Sequence, residues 1–494
     1  MNSNIKTILL YPPEQSWPET VCKPNGSLAY PMLAGALTEA GFDVNIFDAC
    51  VGNDEDDLNE VFYKRTALKS GMLRTGVSDE RILKIVADAD IVGITSIFSH
   101  QETMALRTAT LIKKQFPKKL IISGGANARH RIKQFMASGI DIVCMSEAEE
   151  TVVEIARTVS MNKTNFDHIS QIAINNKSTV TVKNSNLLID LDKLPMPRWD
   201  LLPNNRYWQI GRPHGGYFVP GTKLKYASMM TSLGCPFNCT FCHISKEKND
   251  IGKFRIKSDE RVLTELQTLT NMGVKQVFIE DDSIFGHKKR AIRLINKIKM
   301  FNLDILDVNG VNIIHLVKAA SNTTTLVPDH DVLSALALVG FKEICLPFES
   351  GNQRIIKKYA SNKWDINRVN VSELIKACNQ YGIRIAGNFM IGFPDETREE
   401  VEQTLNFAKK CMYDGLNAAN FFLVLPLPGT NLFDQAVLNN NLSADYEPDK
   451  MHWQKANLIN TIIPAQELEL IRDRAWKEIN NVEHTEYKKS FLNE

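Results

Sequence analysis

No run of apolar residues in this chain of 494 approaches the length of a membrane span, so no membrane association is expected. Neither charge is in surplus. Lys and Arg number 58 against 57 Asp and Glu, a net +1, which excludes the broad basic surface that nucleic-acid binding needs. There is no repeat and no low-complexity tract. The opening Met-Asn-Ser-Asn-Ile-Lys-Thr runs towards a strand and lacks the layout of a signal peptide. No G-x-G-x-x-G follows a strand, so NAD is not expected. Nine cysteines, three of them bunched, read as metal ligation in a reducing cytoplasm, not as a disulfide scaffold. What remains is ordinary globular composition, 44% hydrophobic and 23% charged, in a chain long enough for two or three domains.

Residues 1–160 alternate strand-like apolar runs with helical patterns, the sequence form of a parallel sheet with crossover helices. Strands are predicted over Ile5–Tyr11, Asp43–Phe47, Asp90–Ser96, Leu120–Ser123 and Ile140–Met145, and helices over Pro31–Ala40, Thr103–Gln115 and Glu147–Val159. Five such units suit an α/β, doubly wound, flavodoxin-like (Rossmann-type) order. Ligands of such sheets lie beyond the strand carboxyl ends, where strands one and three diverge. Tyr11, Pro12 and Pro13 fall there, as do Thr95, Ser96, Ile97 and Phe98. Gly124, Gly125 and Ala126 form the neighbouring lip, where glycine lets backbone approach a flat ligand. Residues 161–224 read as a linker with a short hairpin, Gln171–Asn175 with Thr179–Val182, that lays the first domain over the second.

Within residues 225–435 the alternation resumes. Strands are predicted over Lys225–Thr231, Gln276–Glu280, Glu343–Phe348, Arg384–Ile391 and Ala418–Leu425. Helices are predicted over Asp259–Asn271, Val332–Val339, Val369–Gln380 and Arg398–Cys411. Residues 436–494 read as a mainly helical, polar extension containing Trp453 and Trp476.

The first of these strands runs into Ser-Leu-Gly-Cys-Pro-Phe-Asn-Cys-Thr-Phe-Cys, in which Cys235, Cys239 and Cys242 are spaced C-x3-C-x2-C. One tight loop can turn three thiolates onto one face of an iron–sulfur cube. A [4Fe–4S] cluster normally takes four cysteines. The next cysteine is Cys345, so one iron is left open to a small molecule. Zinc would ask for four N or S ligands in paired knuckles, and the side chain of His243 is expected to diverge from Cys242.

The spacing, with Phe241 ahead of the last cysteine, resembles the signature of the radical S-adenosylmethionine (SAM) superfamily. The resemblance implies a partial (β/α)6 barrel in which Cys235, Cys239 and Cys242 ligate iron and the open iron chelates SAM. It implies SAM contacts at Phe241, at the strand end Glu280, Asp281 and Asp282 (amino group), at Glu349 and Ser350 (ribose and carboxylate), at Asn388 and Gly392 (adenosine), and at Val424 on the last strand. Backbone groups of the Gly-Phe-Pro turn would be left to meet a base edge.

A flavodoxin-like domain ahead of this motif resembles the cobalamin-dependent radical SAM enzymes. The helix start Leu28, Ala29, Tyr30, Pro31 and the Gly124–Gly125 loop are similar to that family's cobalamin-cradling segments. Tyr11, Pro12, Thr95, Ser96, Gly124, Gly125 and Glu147 are the implied contacts. Two departures stand out: Gly-Gly-Ala-Asn replaces the common Gly-Gly-Pro-His at 124–127, and Ser-Glu-Ala-Glu replaces Gly-Glu-Gly-Glu at 146–149. There is no Asp-x-His-x-x-Gly to supply a histidine to cobalt.

The resemblance implies methylation of an unactivated carbon of a small-molecule substrate. SAM would yield a 5′-deoxyadenosyl radical, methylcobalamin would supply the methyl group, and flavodoxin or ferredoxin would serve as one-electron donor. Ring formation or rearrangement by the same chemistry is the nearest alternative. A methylthiotransferase would need Cys22, Cys50 and Cys144 to converge on a second cluster. A cobalamin sensor or carrier would make the cluster structural.

Overall fold

The computed structural model describes residues 5–24, 26–176, 179–183, 189–213, 224–245, 253–443 and 446–480. The chain divides into two units between residues 214 and 215. Among the described residues no helix is long and apolar enough to cross a membrane.

In the first unit the strand Lys6–Tyr11 (β1) is apolar on both faces. Ile8 and Leu10 pack into one core layer, with Val92, Ile94, Ala105 and Ile112, and Leu9 and Tyr11 into the other, with Tyr30, Ala34, Leu37 and Ile155. Burial on both faces is the condition under which parallel sheets form. The further strands are Asp43–Asp48 (β2), Ile91–Thr95 (β3), Leu120–Gly124 (β4) and Ile142–Cys144 (β5). They lie in the order β2-β1-β3-β4-β5, all parallel, the predicted flavodoxin-like arrangement. Helices Ala29–Glu39 (α1), Asp79–Val86 (α2), Glu102–Gln115 (α3) and Glu149–Ser160 (α4) include the crossovers.

Two features differ from expectation. The hairpin Ile172–Asn176 (β6) and Thr179–Lys183 (β7) does not belong to a linker. Its first strand pairs antiparallel with β5 and extends the sheet to seven strands. Where no element was expected, Glu14–Ser16, which follows β1, joins Thr66–Ala67 and Leu73–Thr75, which lie between β2 and β3, in a small antiparallel sheet. Its two- and three-residue strands are too short to leave a period in the sequence. Helix α2 follows, capped by Ser78, whose Oγ accepts from Arg81 N at 3.2 Å.

The second unit holds six parallel strands in sequential order: Tyr226–Met229 (β8), Gln276–Ile279 (β9), Asp304–Asp307 (β10), Phe341–Glu349 (β11), Arg384–Ile391 (β12) and Ala418–Leu423 (β13). β10 was not foreseen, because Asp-Ile-Leu-Asp shows too short an apolar run. The strands alternate with helices Asp259–Asn271 (α5), Lys288–Ile298 (α6), His330–Leu338 (α7), Gln353–Tyr359 (α8), Val371–Gln380 (α9) and Arg398–Tyr413 (α10).

Alternation sets the two faces. On β11 and β12, Ile344, Leu346, Phe348, Ile385, Phe389 and Ile391 are buried, and Phe348, Phe389 and Phe421 stack across three strands at 5.2 and 5.5 Å. The other face carries Glu343, Cys345 and Pro347, then Arg384, Ala386 and Asn388, then Asn420 and Phe422, all half-buried.

Downstream lie Asn431–Leu438 (α11) and Ala465–Ile479 (α12), but the described residues 451–464 between them form no helix, unlike the mainly helical extension predicted. β13 is the last strand of an open sheet, and this extension covers its free edge. Asn480 accepts from Ala419 N at 2.8 Å and donates to Ala419 O at 2.9 Å. Arg472 donates to Phe421 O at 3.2 Å, and Leu423 N donates to Trp453 O at 2.7 Å.

Candidate active site

The three bunched cysteines follow β8 in a loop whose shape is fixed by hydrogen bonds to other segments. Gly234 N donates to Asp282 Oδ2 at 2.8 Å, Asn238 N to Ser361 Oγ at 3.0 Å and Thr240 N to Tyr359 O at 2.8 Å, while Leu432 N donates to Thr240 O at 2.9 Å. Cys239 is buried; Cys235 and Cys242 are half-buried. Burial pushes the Cys239 thiol up to about 12 and that of Cys242 up to about 11. Cys239 is raised further by Cys242 and Cys235, and Cys242 by Cys235, while the Lys363 ammonium lowers both. The three sulfurs thus share one electrostatic neighbourhood. Ile244 N points at Cys242 Sγ from 3.4 Å, a donor suited to a thiolate. His243 turns away, its Nε2 lying 2.7 Å from Pro428 O.

Polar groups lie just past the carboxyl end of β9, where Asp282 meets the loop, and on the half-buried face of β12 and β13. Glu280 is half-buried, and burial pushes its carboxyl up to about 7 despite a hydrogen bond with Ser228. Asp282 is raised to about 6, again by burial. Asn388 accepts from Asn420 Nδ2 at 3.1 Å on the neighbouring strand. Phe241 packs on Phe393 with ring centroids 6.0 Å apart.

Other expected contacts prove to be engaged inside the protein. Asp281 is buried and accepts from Thr231 N, Thr231 Oγ1 and Ser232 Oγ at 2.6–2.7 Å, so it holds the strand end that leads into the cysteine loop. Ser350 is fully buried against Thr404 Oγ1 at 2.9 Å and caps Asn352 N. Glu349 is buried in an ion pair with Lys363, 2.6 Å long. The amides of Gly392 and Phe393 are not left for a base edge, because both donate to Glu396 Oε2, at 2.7 and 3.2 Å. Val424 lies in the apolar cluster with Phe393, Tyr359 and Ile355. Lys363, Glu396 and Asn420 were missed among the site residues and carried no sequence signal, whereas Asp282 closes the acidic run 280–282 at which the resemblance implies the SAM amino group.

In the first unit Tyr11, Pro12, Thr95 and Ser96 are buried, whereas Gly124, Gly125 and Glu147 are half-buried at the carboxyl edge. The rings of Tyr11 and Tyr30 pack tilted at 43° with centroids 4.2 Å apart, and Tyr30 Oη donates to Leu10 O and Gly93 O, so the start of α1 serves the core. Gly125 has φ +105°, and a Cβ there would stand 2.5 Å from Ser96 O. Its lack of a side chain is required by the neighbouring backbone, not by a ligand. A Cβ on Gly124 would meet only Cys144 Cβ at 3.6 Å, and the adjoining Ala126 and Ala148 are short.

A family model for the radical SAM superfamily matches residues 229–408, and one for a B12 binding domain matches residues 25–156. An uncharacterized methyltransferase of Pyrococcus horikoshii is 32% identical over 391 residues, covering 77% of this chain and 76% of the relative. The chain belongs to the radical SAM superfamily, in its B12-binding-domain-containing branch.

Cytidylyl-2-hydroxyethylphosphonate methyltransferase of Streptomyces wedmorensis is 25% identical to this radical SAM protein, over 92% of it and 86% of the relative. An anaerobic magnesium-protoporphyrin IX monomethyl ester cyclase of Rubrivivax gelatinosus is 25% identical over 82% and 65%. Among solved structures, the methyltransferase TsrM of Kitasatospora setae with cobalamin and a [4Fe–4S] cluster bound has a TM-score of 0.63 at 15% identity, covering 88% of this chain and 75% of TsrM. OxsB with aqua-cobalamin and SAM bound has the same TM-score at 16% identity, covering 97% and 62%. Both share the fold.

The cofactors of this radical SAM protein are a [4Fe–4S] cluster, SAM and cobalamin. The donor sets fit. Three thiols with a nearby cation and a backbone donor suit a cube, and acids at the strand ends suit an ammonium group. The second cluster of a methylthiotransferase does not fit. Cys22 Sγ donates to Thr75 Oγ1 at 3.4 Å and Cys50 Sγ to Pro12 O at 3.5 Å, while Cys144 lies apart in β5 beside Glu149. Among the described residues no three His, Cys, Asp or Glu are arranged to hold a single metal ion.

Proposed function

We propose that this protein is a cobalamin-dependent radical SAM methyltransferase that methylates an unactivated carbon of a small molecule in the cytoplasm, fed by a one-electron donor such as flavodoxin or ferredoxin. The observation that carries the reading is the three-cysteine loop at the carboxyl end of a six-stranded parallel sheet, in one chain with a flavodoxin-like unit of B12-binding type. Two relatives named as methyltransferases, each covering three quarters or more of both chains, favour methyl transfer over ring formation.

Bound, the cluster and SAM supply a 5′-deoxyadenosyl radical for hydrogen abstraction, and methylcobalamin is the methyl source. The chain's own residues hold and orient. Cys235, Cys239 and Cys242 ligate three irons and leave the fourth for SAM. Glu280 and Asp282 receive the SAM ammonium, whose charge restores the ionised form that burial disfavours. Phe241 and Asn388 flank the nucleoside. Gly124, Gly125 and Glu147 edge the cobalamin.

The test is anaerobic. The cluster is reconstituted, hydroxocobalamin is added, unbound material is removed and the visible spectrum recorded; about one cobalamin per chain is expected. Incubation with SAM and reductant should then give both 5′-deoxyadenosine and S-adenosylhomocysteine. 5′-Deoxyadenosine without S-adenosylhomocysteine would replace methyl transfer by cyclisation or rearrangement.

A further inference from the structure

Lys363 and Glu349 are both buried, 14 residues apart in sequence, and joined Nζ to Oε1 at 2.6 Å. Burying an ion pair is costly, and a pair of hydrophobic residues would often serve stability as well. The backbone around it is also set against its preferences. Glu349, Ser361 and Asn362 have φ of +63°, +57° and +48°, the left-handed region that side chains other than glycine seldom adopt. Those conformations are held in place from several sides. Gln353 Nε2 donates to Asn362 Oδ1 at 2.9 Å, and Trp364 Nε1 to Phe348 O at 3.1 Å. The same turn is stitched to the cysteine loop through Asn238 N to Ser361 Oγ and Thr240 N to Tyr359 O. The ammonium is therefore carried on a rigid arm fixed to the segment that bears Cys239.

We propose that Lys363 sets the reduction potential of the cluster held by Cys235, Cys239 and Cys242, with Glu349 as its counter-charge. The inference rests on the cluster reading above. Three thiolates leave the oxidised cluster negative, and reduction adds a further electron, so a fixed cation nearby favours the reduced form while a fixed anion opposes it. The Glu349 carboxylate, 2.6 Å away, is the counter-ion that favours the charged form of Lys363. The turn that carries Lys363 is bonded to the cysteine loop at Asn238 and Thr240, which brings the cation into the neighbourhood of the sulfurs. Lys363 is a positioning residue for charge and needs no contact with SAM or substrate.

The test is an anaerobic redox titration of the reconstituted full chain, followed by the electron paramagnetic resonance signal of the reduced cluster. Lys363→Met should lower the reduced-to-oxidised ratio at a fixed potential at least tenfold, which for one electron is about 59 mV. Lys363→Arg should keep the ratio within about threefold. Glu349→Gln should move it the other way, because it removes the anion and leaves the cation. Shifts of opposite sign support the proposal, since a merely structural pair would lose iron in both variants without such a sign. Should Lys363→Met not retain the cluster, Glu349→Gln decides: an unchanged or lowered ratio overturns the proposal. Wild-type protein that takes up no cluster removes the site and this inference together. A loaded wild type with unshifted variants overturns this inference alone.

Discussion

Glu280 and Asp281 are adjacent at the end of β9 and face opposite ways. Glu280 stays half-buried beside Ser228, whereas Asp281 is buried under the strand end at Thr231 and Ser232 with three donors on its carboxylate. Their substitutions should separate accordingly. Glu280→Gln should raise the KM for SAM about tenfold with iron content and melting temperature unchanged, as expected for a lost charge-assisted bond of about 1.5 kcal/mol. Asp281→Asn should destabilise the chain by about 1–3 kcal/mol and lower iron uptake. Iron assay, calorimetry and SAM-dependent 5′-deoxyadenosine formation together distinguish the two.

Cys235→Ala, Cys239→Ala and Cys242→Ala should each abolish 5′-deoxyadenosine formation. Hydrogen bonds with Asp282, Ser361, Tyr359 and Leu432 hold the loop in addition to any ligated iron, so the apoproteins should stay folded. Circular dichroism of the metal-free variants should match the wild type. Turnover in any one of them would overturn the ligand assignment.

Glu396 gives a pH dependence. Burial pushes its carboxyl up to about 8 from an ordinary 4.5, against the lowering effect of the Gly392 and Phe393 amides. The folded chain then keeps a proton that the unfolded chain has released, so stability is highest below about 4.5 and falls as pH rises through about 8. Glu14 and Glu280, raised to about 7 by burial, act in the same direction. Glu396→Gln should flatten this fall, with a melting temperature that gains on the wild type by about 2 °C or more between pH 5 and pH 8. A difference that does not vary with pH would refute it.

Gly125 has φ +105° and ψ 163°, a region open in practice to glycine alone. Gly125→Ala should lower the stability of the first unit by about 1–3 kcal/mol and reduce cobalamin retention with it. Gly124→Ala, whose Cβ would make only an ordinary 3.6 Å contact with Cys144 Cβ, should leave stability within about 0.5 kcal/mol of wild type. Retention by Gly124→Ala thus reports on the ligand edge apart from folding.

Much of the fold was legible because long periods survive in sequence. The five strands of the first sheet, α5 and β12 fall within a few residues of prediction. Elements of two to four residues did not, since Asp304–Asp307 and Leu73–Thr75 are shorter than the pattern that would reveal them. The hairpin at 172–183 was visible as a hairpin, but its partner β5 lies some 30 residues back, and pairing across such a gap is set by the sheet edge. At the site, residue type indicated chemistry but not orientation. Ser350, Asp281 and Gly392 sit at strand ends as expected, yet their polar groups are consumed by Thr404, Thr231 and Glu396. Lys363 was invisible because a lone lysine after a helix reads as solvent-exposed; only tertiary structure brings it to Glu349.

The edge of β13 has a consequence for the protein in a crowded solution. A sheet that does not close leaves a row of amides and carbonyls able to recruit a strand from any other chain. Here Asn480, Arg472 and Trp453 satisfy that row at Ala419, Phe421 and Leu423, so the seam is masked by groups that no incoming strand can easily displace. The extension thereby guards against edge-to-edge association, and a truncation before Trp453 would remove all three covers and leave the backbone at Ala419, Phe421 and Leu423 open to another chain.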